Sequence, residues 1–335
     1  MPSDLYDLLL DDPNVLNVEQ VAHDNIPIYF PWSLQCITLG TGFNSTLTSK
    51  GNTNPFSSRS AFAQRSLNST PVRFDDDTGG SSFKKSITSK STYSYEHVDF
   101  KFGISVGGWV LGASVSGAYA KDVLSNKDSQ KLSVRSTMRL GTVAYVDTPG
   151  LSSEGFSLLR QEGVEKFHQT YGDYYVAGLR LGADNATMLS SSSNTDIQSQ
   201  MDQLKISLKV FGKNHTLMDK KHVSSTSAIA HGTTVTAFDT LKNYNHTGQA
   251  GDAASCGREA ELAARNVYDG QQIQERAFAV LQSLHISPGQ IITTEQYRRI
   301  CESGLVVELL LLPYAGLREF VLATAGPAYR GHDLL

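Results

Sequence analysis

The chain has 335 residues, of which 40% are hydrophobic and 19% are charged, and its formal net charge is −4. This composition is typical of a globular protein with a large core, either as one large domain or as two ordinary ones. A weakly acidic chain has no general attraction for a phosphate backbone, so we expect no nucleic-acid partner.

The N-terminal stretch, residues 1–35, indicates a short amphipathic entry segment. It begins with acidic rather than basic residues, so we expect no signal peptide and a soluble chain that is cytoplasmic or unconventionally secreted. The cysteines are widely spaced and odd in number, which argues against a disulfide framework and fits a reducing compartment. These cysteines are Cys36, Cys256 and Cys301.

A strand and turn are predicted next, at Leu39-Gly40-Thr41-Gly42-Phe43-Asn44. Residues 45–82 are rich in Ser, Thr, Asn and Gly, which predicts a loop. The acidic run Asp75-Asp76-Asp77 lacks the alternating ligands and closing glutamate of a calcium-binding loop. We therefore expect a solvated loop here, with no metal site and no cofactor.

Residues 97–121 alternate apolar and polar side chains, which predicts a β-strand rather than a helix. The alternation slips by one residue at Gly107-Gly108, where a bulge costs least. The apolar face comprises Val98, Phe100, Phe102, Ile104 and Val106, and continues as Trp109, Leu111 and Val115.

A membrane-spanning helix is the rival interpretation of this segment. Residues 102–120 contain no charged side chain, and they are nearly long enough to cross a bilayer as a helix. Small residues four apart, such as Gly103 and Gly107, would let membrane helices approach closely. Five glycines and three serines in the stretch lower its hydrophobicity and helix propensity, so we favour the strand.

A second long alternating segment covers residues 131–146, after a polar turn at 122–130. Its apolar side chains are Leu132, Val134, Met138 and Leu140, and they oppose Lys131, Ser133, Arg135 and Arg139. The two segments could therefore form one amphipathic hairpin.

A helix is predicted over residues 151–170, capped by Ser152 or Ser153. It leads into the aromatic motif Tyr171-Gly172-Asp173-Tyr174-Tyr175, which Gly182-Ala183 follows six residues later. Alternation predicts a strand between these motifs, with one face formed by Tyr175, Ala177, Leu179 and Leu181.

The C-terminal half contains one ambiguous segment and several clearer ones. Residues 196–210 satisfy both the helical and the strand period, and their alternating part comprises Leu204, Ile206, Leu208 and Val210. We predict a strand in the later part of residues 223–240 and a helix over 259–284 that is broken at Gly270. A helix over 294–301, opened by Thr293 or Thr294, and a buried strand over 305–312 complete the chain.

Catalytic patterns are weak in this sequence. The histidines are scattered without metal-binding spacing, and neither a nucleophile elbow nor a phosphate-binding glycine loop is present. A lone Cys256 before Gly257 is typical of a small buried side chain rather than a nucleophile. We therefore predict no catalytic residues, and a protein that is not an enzyme.

The order of these motifs resembles the membrane attack complex/perforin (MACPF) family. Its members share an early Leu-Gly-x-Gly-aromatic-Asn/Asp turn, which residues 39–44 match. They also share a Tyr/Phe-Gly-Thr-His-Tyr/Phe signature followed by Gly-Gly, to which residues 171–175 and 182–183 are similar. The terminal Leu312-Pro313-Tyr314 is also family-like, and the resemblance covers about residues 36–320.

The resemblance implies an α+β fold in a single domain over residues 1–335, with an entry segment at 1–35, a core at about 36–320 and a tail at 326–335. It implies a bent, twisted, four-stranded antiparallel sheet flanked by two helical clusters. Asp173 and Tyr174 depart from the signature, and Ala183 replaces its second glycine. Alanine at a position that needs positive φ would be strained, which would stiffen a hinge there.

The family's activity would make the chain a pore-forming protein. Its partners would be a lipid membrane and further copies of itself, and each copy would insert two amphipathic β-hairpins into a large barrel. The first hairpin would be residues 98–120 with 132–146, and the second would lie within 196–227. The alternative is a non-lytic module that binds membrane or protein without opening its sheet, and targeting would need a second protein or surface loops of this domain.

Overall fold

The computed structural model describes residues 18–32, 36–48, 50, 53–76, 82–88, 114–126, 128, 130–191, 233–249 and 270–325. Over these ranges it contains a nine-stranded sheet in which every strand pairing is antiparallel, together with eight helices. The strands are β1 (Ile28–Pro31), β2 (Gly42–Phe43), β3 (Val72–Asp76), β4 (Ser82–Thr88), β5 (Gln130–Tyr145), β6 (Tyr174–Ser191), β7 (Thr233–Asp239), β8 (Tyr244–Gln249) and β9 (Val306–Pro313). The helices are α1 (Val18–His23), α2 (Gln64–Ser69), α3 (Val115–Ser125), α4 (Ser153–Glu162), α5 (Val164–Tyr171), α6 (Gly270–Ser283), α7 (Thr294–Glu302) and α8 (Arg318–Thr324).

Two long central strands, β5 and β6, organise the sheet. On the outer side of β5, β4 pairs with the first half of β5 and β3 pairs with its last part. On the outer side of β6, β9 pairs with the first half of β6 and β7 pairs with its last half. The sheet therefore has four strand positions, of which the outer two are each divided between two short strands. The predicted α+β class with an antiparallel sheet is confirmed, but the number of four strands is wrong because β1, β2 and β8 also pair onto this frame.

Helices cover both faces of the half of the sheet formed by β4 to β8. On one face, the Tyr119 ring of α3 contacts the Phe238 ring of β7, with centroids 4.9 Å apart. On the other, Arg276 of α6 donates to the Asp239 carboxylate at 3.1 Å. Because successive residues of a strand point to opposite faces, these neighbouring side chains place α3 and α6 on opposite sides.

The region predicted as the end of the first strand is helical. α3 begins after Ser114, whose hydroxyl accepts a hydrogen bond from the Gly117 backbone N–H at 2.8 Å. Its Val115, Tyr119 and Val123 are spaced four residues apart and all are buried. The strand prediction for Val115 and the residues up to 120 is therefore wrong, and so is the predicted turn at 122–125. Within the described ranges, no helix is both long and apolar enough to cross a membrane.

Several of the remaining predictions are confirmed, with one break and one bulge. The loop predicted over 45–82 is wrong where it contains α2 and β3, and Asp75 and Asp76 of the acidic run lie in β3, paired with β5. Ser152 caps α4 and Thr293 caps α7, but the helix predicted over 151–170 divides into α4 and α5 at Gly163. The side chains at 175, 177, 179 and 181 do not share one face, because a bulge between Val176 and Gly178 shifts the alternation. Tyr175 and Ala177 lie in one hydrophobic cluster, whereas Leu179 and Leu181 lie in another.

A disulfide joins Cys36, after β1, to Cys301 in α7, with the Cα atoms 5.1 Å apart. The prediction that the chain lacks disulfides is therefore wrong. The pairing could not be inferred from spacing, because the two cysteines are 265 positions apart in sequence and only the fold brings them together. The argument for a reducing compartment from cysteine spacing loses its basis, because disulfides persist in oxidising surroundings.

Breaking this disulfide should destabilise the fold. Replacement Cys301→Ser is expected to lower the free energy of unfolding by about 2–5 kcal/mol, because the unfolded chain loses a cross-link. Urea denaturation of the oxidised proteins measures the change, with Cys256→Ser as the matched control. Identical midpoints for Cys301→Ser and the parent protein would contradict the pairing.

Candidate functional site

Strands β4, β5, β6 and β7 have neighbouring ends on one side of the sheet, and we call this side the upper end. Thr88 of β4 pairs with Lys131 of β5, Gln130 of β5 pairs with Ser191 of β6, and Ser191 pairs with Thr233 of β7. The strand order at this end is β4, β5, β6, β7, with β8 outside β7. Consecutive antiparallel neighbours are thus already hydrogen-bonded where the chain leaves the sheet.

Two connections of equal length leave from the upper end. Residues 89–129 connect β4 to β5, and residues 192–232 connect β6 to β7, 41 residues in each case. Of the predicted first-hairpin side chains, Val98, Phe100, Phe102, Ile104, Val106, Trp109 and Leu111 lie outside the described residues, as do Leu204, Ile206, Leu208 and Val210 of the second.

Helix α3 belongs to the first connection and is held against the upper end by polar contacts. Thr247 of β8 donates its hydroxyl proton to the Asp122 carboxylate. Beyond the helix, the Asn126 amide donates to the Ser190 hydroxyl at 2.5 Å, and that hydroxyl donates to the Asp128 carboxylate at 2.9 Å. The helix is therefore fastened to β6 and β8 rather than only packed on them.

Both faces of β5 are buried near the upper end. Leu132, Val134, Met138 and Leu140, predicted as the return strand of the first hairpin, are buried in β5, which is already paired with β6 in the central sheet. Lys131, predicted on the polar face, is 0% exposed, and its ammonium donates to the Asp128 carbonyl oxygen at 2.5 Å. Burial lowers the pKa of Lys131, and the charge of Asp128 partly opposes this. Ser133 and Arg135 on the same face are also buried.

An ion cluster lies midway along the central strands and joins three of them. The Arg139 guanidinium of β5 binds both carboxylate oxygens of Asp184 in β6, and it donates to Glu308 of β9 at 2.8 Å. All three side chains are largely buried, with exposed fractions of 12–14%. Burial opposes the charge of Arg139, but the two carboxylates outweigh it and raise its pKa.

Sequence reasoning missed this cluster, although one signal was available. Glu308 is the charged residue within the otherwise apolar run of β9. A carboxylate in a buried strand requires a cationic partner. Glu308 therefore predicts a buried cation nearby, and Arg139 on the polar side of β5 is a candidate for it.

The predicted hinge at Gly182-Ala183 lies within β6 beside this cluster. Gly182 is opposite Arg139, where the β5–β6 register shifts, and a Cβ at Gly182 would overlap the Met138 carbonyl oxygen. Ala183 is not among the described residues with positive φ and pairs with Met138. The expectation that Ala183 is strained is therefore wrong; Gly182 is the position that requires glycine, because of the close backbone approach.

The two motifs predicted at 39–44 and 171–175 pack against each other, although they are far apart in sequence. β2 pairs with the start of β6, so that Gly42 is opposite Tyr175. A Cβ on Gly42 would overlap the Tyr171 carbonyl oxygen, and one on Gly172 would overlap the Phe43 backbone. Gly172 also has a φ of 91°, which glycine adopts readily. We call this contact the motif clasp.

Asp173, one of the departures from the family signature, has a structural role in the motif clasp. Its carboxylate accepts from the Ser45 backbone N–H at 2.8 Å and from the Ser45 hydroxyl at 2.5 Å. Asn44 adds a hydrogen bond from its amide to the His168 carbonyl oxygen at 3.3 Å. Charge-assisted bonds of this kind hold the early turn against the end of α5.

His168 of α5 packs beside the motif clasp. Its ring stacks on Phe320 of α8, with centroids 6.2 Å apart, and its Nε2 is buried without a hydrogen-bond partner in the described part of the chain. Burial lowers the pKa of His168, and the charge of Asp173 partly opposes this. The neutral ring is therefore the form that the fold favours.

Comparisons with known proteins identify distant structural neighbours only. No protein-family model and no curated protein matches the sequence. Similar solved structures include GNIP1Aa from Chromobacterium piscinae, with 12% identity, a TM-score of 0.31, and coverage of 82% of this chain and 55% of that chain. Another is a putative cell invasion protein with a MAC/Perforin domain from Bacteroides thetaiotaomicron, with 10% identity, a TM-score of 0.31, and coverage of 83% of this chain and 64% of that chain. This chain thus spans less than two thirds of each neighbour's length, and likeness at this level does not define a function.

Removing Arg139 should destabilise the sheet strongly. We expect Arg139→Met to lower the free energy of unfolding by about 3–5 kcal/mol, because it leaves two buried carboxylates without their cation. Arg298→Met is the matched control, since Arg298 also binds two glutamates but on the surface. Guanidinium denaturation measures both variants, and equal losses would show that the buried cluster is not special.

Acid should weaken the packing around His168. Its folded pKa lies below the unfolded value of about 6.5, so the unfolded chain binds the proton more readily. The stability contributed by the neutral ring is complete above that unfolded pKa and declines as the pH falls below it. Urea midpoints between pH 8 and 5 should fall less in His168→Gln than in the parent. Parallel slopes for His168→Gln and the parent would refute this.

Proposed function

We propose that the chain is a pore-forming protein that assembles on membranes and inserts two amphipathic β-hairpins per subunit. The observation that supports this most directly is the upper end of the sheet. Each 41-residue connection links two strands that are already antiparallel neighbours, β4 with β5 and β6 with β7. Either connection can become a hairpin by extending existing strand pairs, without breaking a hydrogen bond of the sheet.

The length of the connections also fits this function. A 41-residue hairpin places nearly half of its residues in each strand, which is about 60 Å at the rise of a β-strand. The apolar band of a membrane barrel is about 25 Å tall. Each hairpin is therefore long enough to cross a bilayer and still extend the existing sheet.

Assembly follows from the chemistry of a strand in lipid. An unpaired backbone N–H or C=O is costly there, so strands from several copies must close into a barrel. The free edge for that contact would be β7, but β8 pairs along it in the isolated chain. Because Thr247 of β8 is bonded to Asp122 of α3, unfolding of α3 would also loosen β8. Formation of the first hairpin and opening of the edge are thereby coupled.

The second candidate is a non-lytic module that binds membrane or protein while its sheet stays closed. The pairing of β8 with β7 favours it, since β8 occupies the edge that a neighbouring copy would need. Targeting by a second protein is compatible with either candidate.

Dye-loaded liposomes distinguish the two candidates. For a pore-forming protein we expect release of the dye together with ring-shaped particles on the liposomes in negative-stain images. Binding to liposomes without release or rings, over a wide range of lipids, would favour the non-lytic module.

A cross-link between α3 and β8 tests the mechanism of insertion. The pair Asp122→Cys and Thr247→Cys, in a Cys256→Ser background, should form a disulfide where the native side chains are hydrogen-bonded. Release should fall at least tenfold when this pair is oxidised and recover on reduction. The Cys256→Ser parent receives the same treatments, which controls for the native disulfide. Unchanged release from the oxidised pair would refute movement of α3.

A further inference from the structure

An open cleft of about 700 Å³ lies on the body of the domain, away from the upper end. It is bounded by the early turn at residues 38–41, by α2, by the start of β3 and by residues 291–294 before and at the start of α7. This volume falls within the range of small-molecule binding sites. The motif clasp lies immediately behind the early turn, because Gly40 donates its backbone N–H to Val176 of β6 at 2.8 Å.

The cleft is polar but uncharged. Among the described residues that line it, none is an aspartate, glutamate, lysine, arginine or histidine. Phosphate and carboxylate ligands are bound chiefly by arginine, lysine and backbone N–H groups, and cations by carboxylates. The lining therefore disfavours an ionic ligand and a phosphorylated lipid headgroup.

Hydroxyl and amide side chains form the polar part of the wall. Asn68 of α2 and Thr294 of α7 are exposed and line the cleft, and the Asn68 side-chain oxygen accepts a hydrogen bond from the Gln64 amide at 2.9 Å. An amide and a hydroxyl can each donate and accept hydrogen bonds, so together they suit a ligand rich in hydroxyl groups. Thr38 adds a further exposed hydroxyl on the early turn.

The apolar part of the wall is firmly held. The Tyr145 hydroxyl donates to the Leu39 carbonyl oxygen at 3.2 Å, and the Tyr297 hydroxyl donates to the Ile37 carbonyl oxygen at 2.6 Å. These bonds fix both half-buried rings in place. Ile291, which is 52% exposed, extends the apolar surface. Fixed aromatic rings beside hydroxyl and amide groups match a sugar ring, which has an apolar C–H face and a rim of hydroxyls.

We propose that this cleft binds a neutral carbohydrate. The same chemistry is available from a free oligosaccharide and from the headgroup of a neutral glycolipid. Binding to the glycolipid headgroup would bring the domain to a membrane surface. The binding itself does not depend on pore formation.

Saturation-transfer NMR with lactose, maltose, cellobiose and N,N′-diacetylchitobiose tests the proposal on the full chain. We expect transfer to at least one of them, and about fivefold weaker binding in Asn68→Ala and in Thr294→Ala, as each removes about one hydrogen bond. Both side chains are exposed, so the variants should keep the parent circular dichroism spectrum. Gln169→Ala, on the exposed face of α5, is the matched control and should bind like the parent.

Several results would overturn the proposal. These are transfer to none of the four sugars, equal binding by the parent and both cleft variants, or binding of inorganic phosphate in preference to the sugars. Phosphatidylcholine liposomes with and without lactosylceramide distinguish the two sources. Binding that requires the glycolipid and is weakened by Asn68→Ala identifies the headgroup as the ligand. Binding of free sugars with no preference for the glycolipid liposomes identifies the free oligosaccharide. Dye release is a separate readout, so failure of pore formation leaves the carbohydrate result intact.

Discussion

The hydrogen-bonded order of β4, β5, β6 and β7 at the upper end is the constraint on which the proposed function depends. Each long connection starts and finishes on strands that are already paired, so extension of the sheet continues an existing ladder. If the two strands joined by a connection were not neighbours in the sheet, the connection could become a hairpin only after other strand pairs had separated. Strand topology therefore matters more to the proposal than the hydrophobicity of either segment.

The same region shows how both faces of an amphipathic strand can be buried. Lys131 and Leu132 point to opposite faces of β5, yet both are buried. The polar face is buried beneath α3, and the Lys131 ammonium group donates a hydrogen bond to the Asp128 carbonyl oxygen. Packing of α3 thus opposes formation of the first hairpin, and in the proposed function any trigger must compensate for its loss. A membrane or a second subunit can do this only by binding the opened state better than the closed one.

Much of the secondary structure could be predicted from the sequence, because local patterns determine it. The strand at β5 and the capped helix α7 follow from alternation and from Thr293 with its capping box. Errors arose where one residue changed the pattern or where distant residues met. The bulge near Ala177 moved the following side chains of β6 to the opposite face of the sheet. Ser114 caps a helix within a segment whose apolar and polar residues alternate as in a strand. The candidate site was predicted less well, because its contacts join segments that are distant in sequence: Ser45 and Asp173 in the motif clasp are 128 positions apart, and Arg139 is 45 positions from Asp184 and 169 from Glu308.

Strand β8 has a consequence for the isolated molecule in water. A bare β7 edge would offer unpaired N–H and C=O groups to any passing copy, and such edges seed fibres and amorphous precipitates. In the structure, β8 pairs with β7 from Thr234 to Asp239, so this edge of β7 is covered. Among the described strands β8 is itself outermost, so a second copy that approaches this edge meets β8 first and can pair with β7 only after β8 has left.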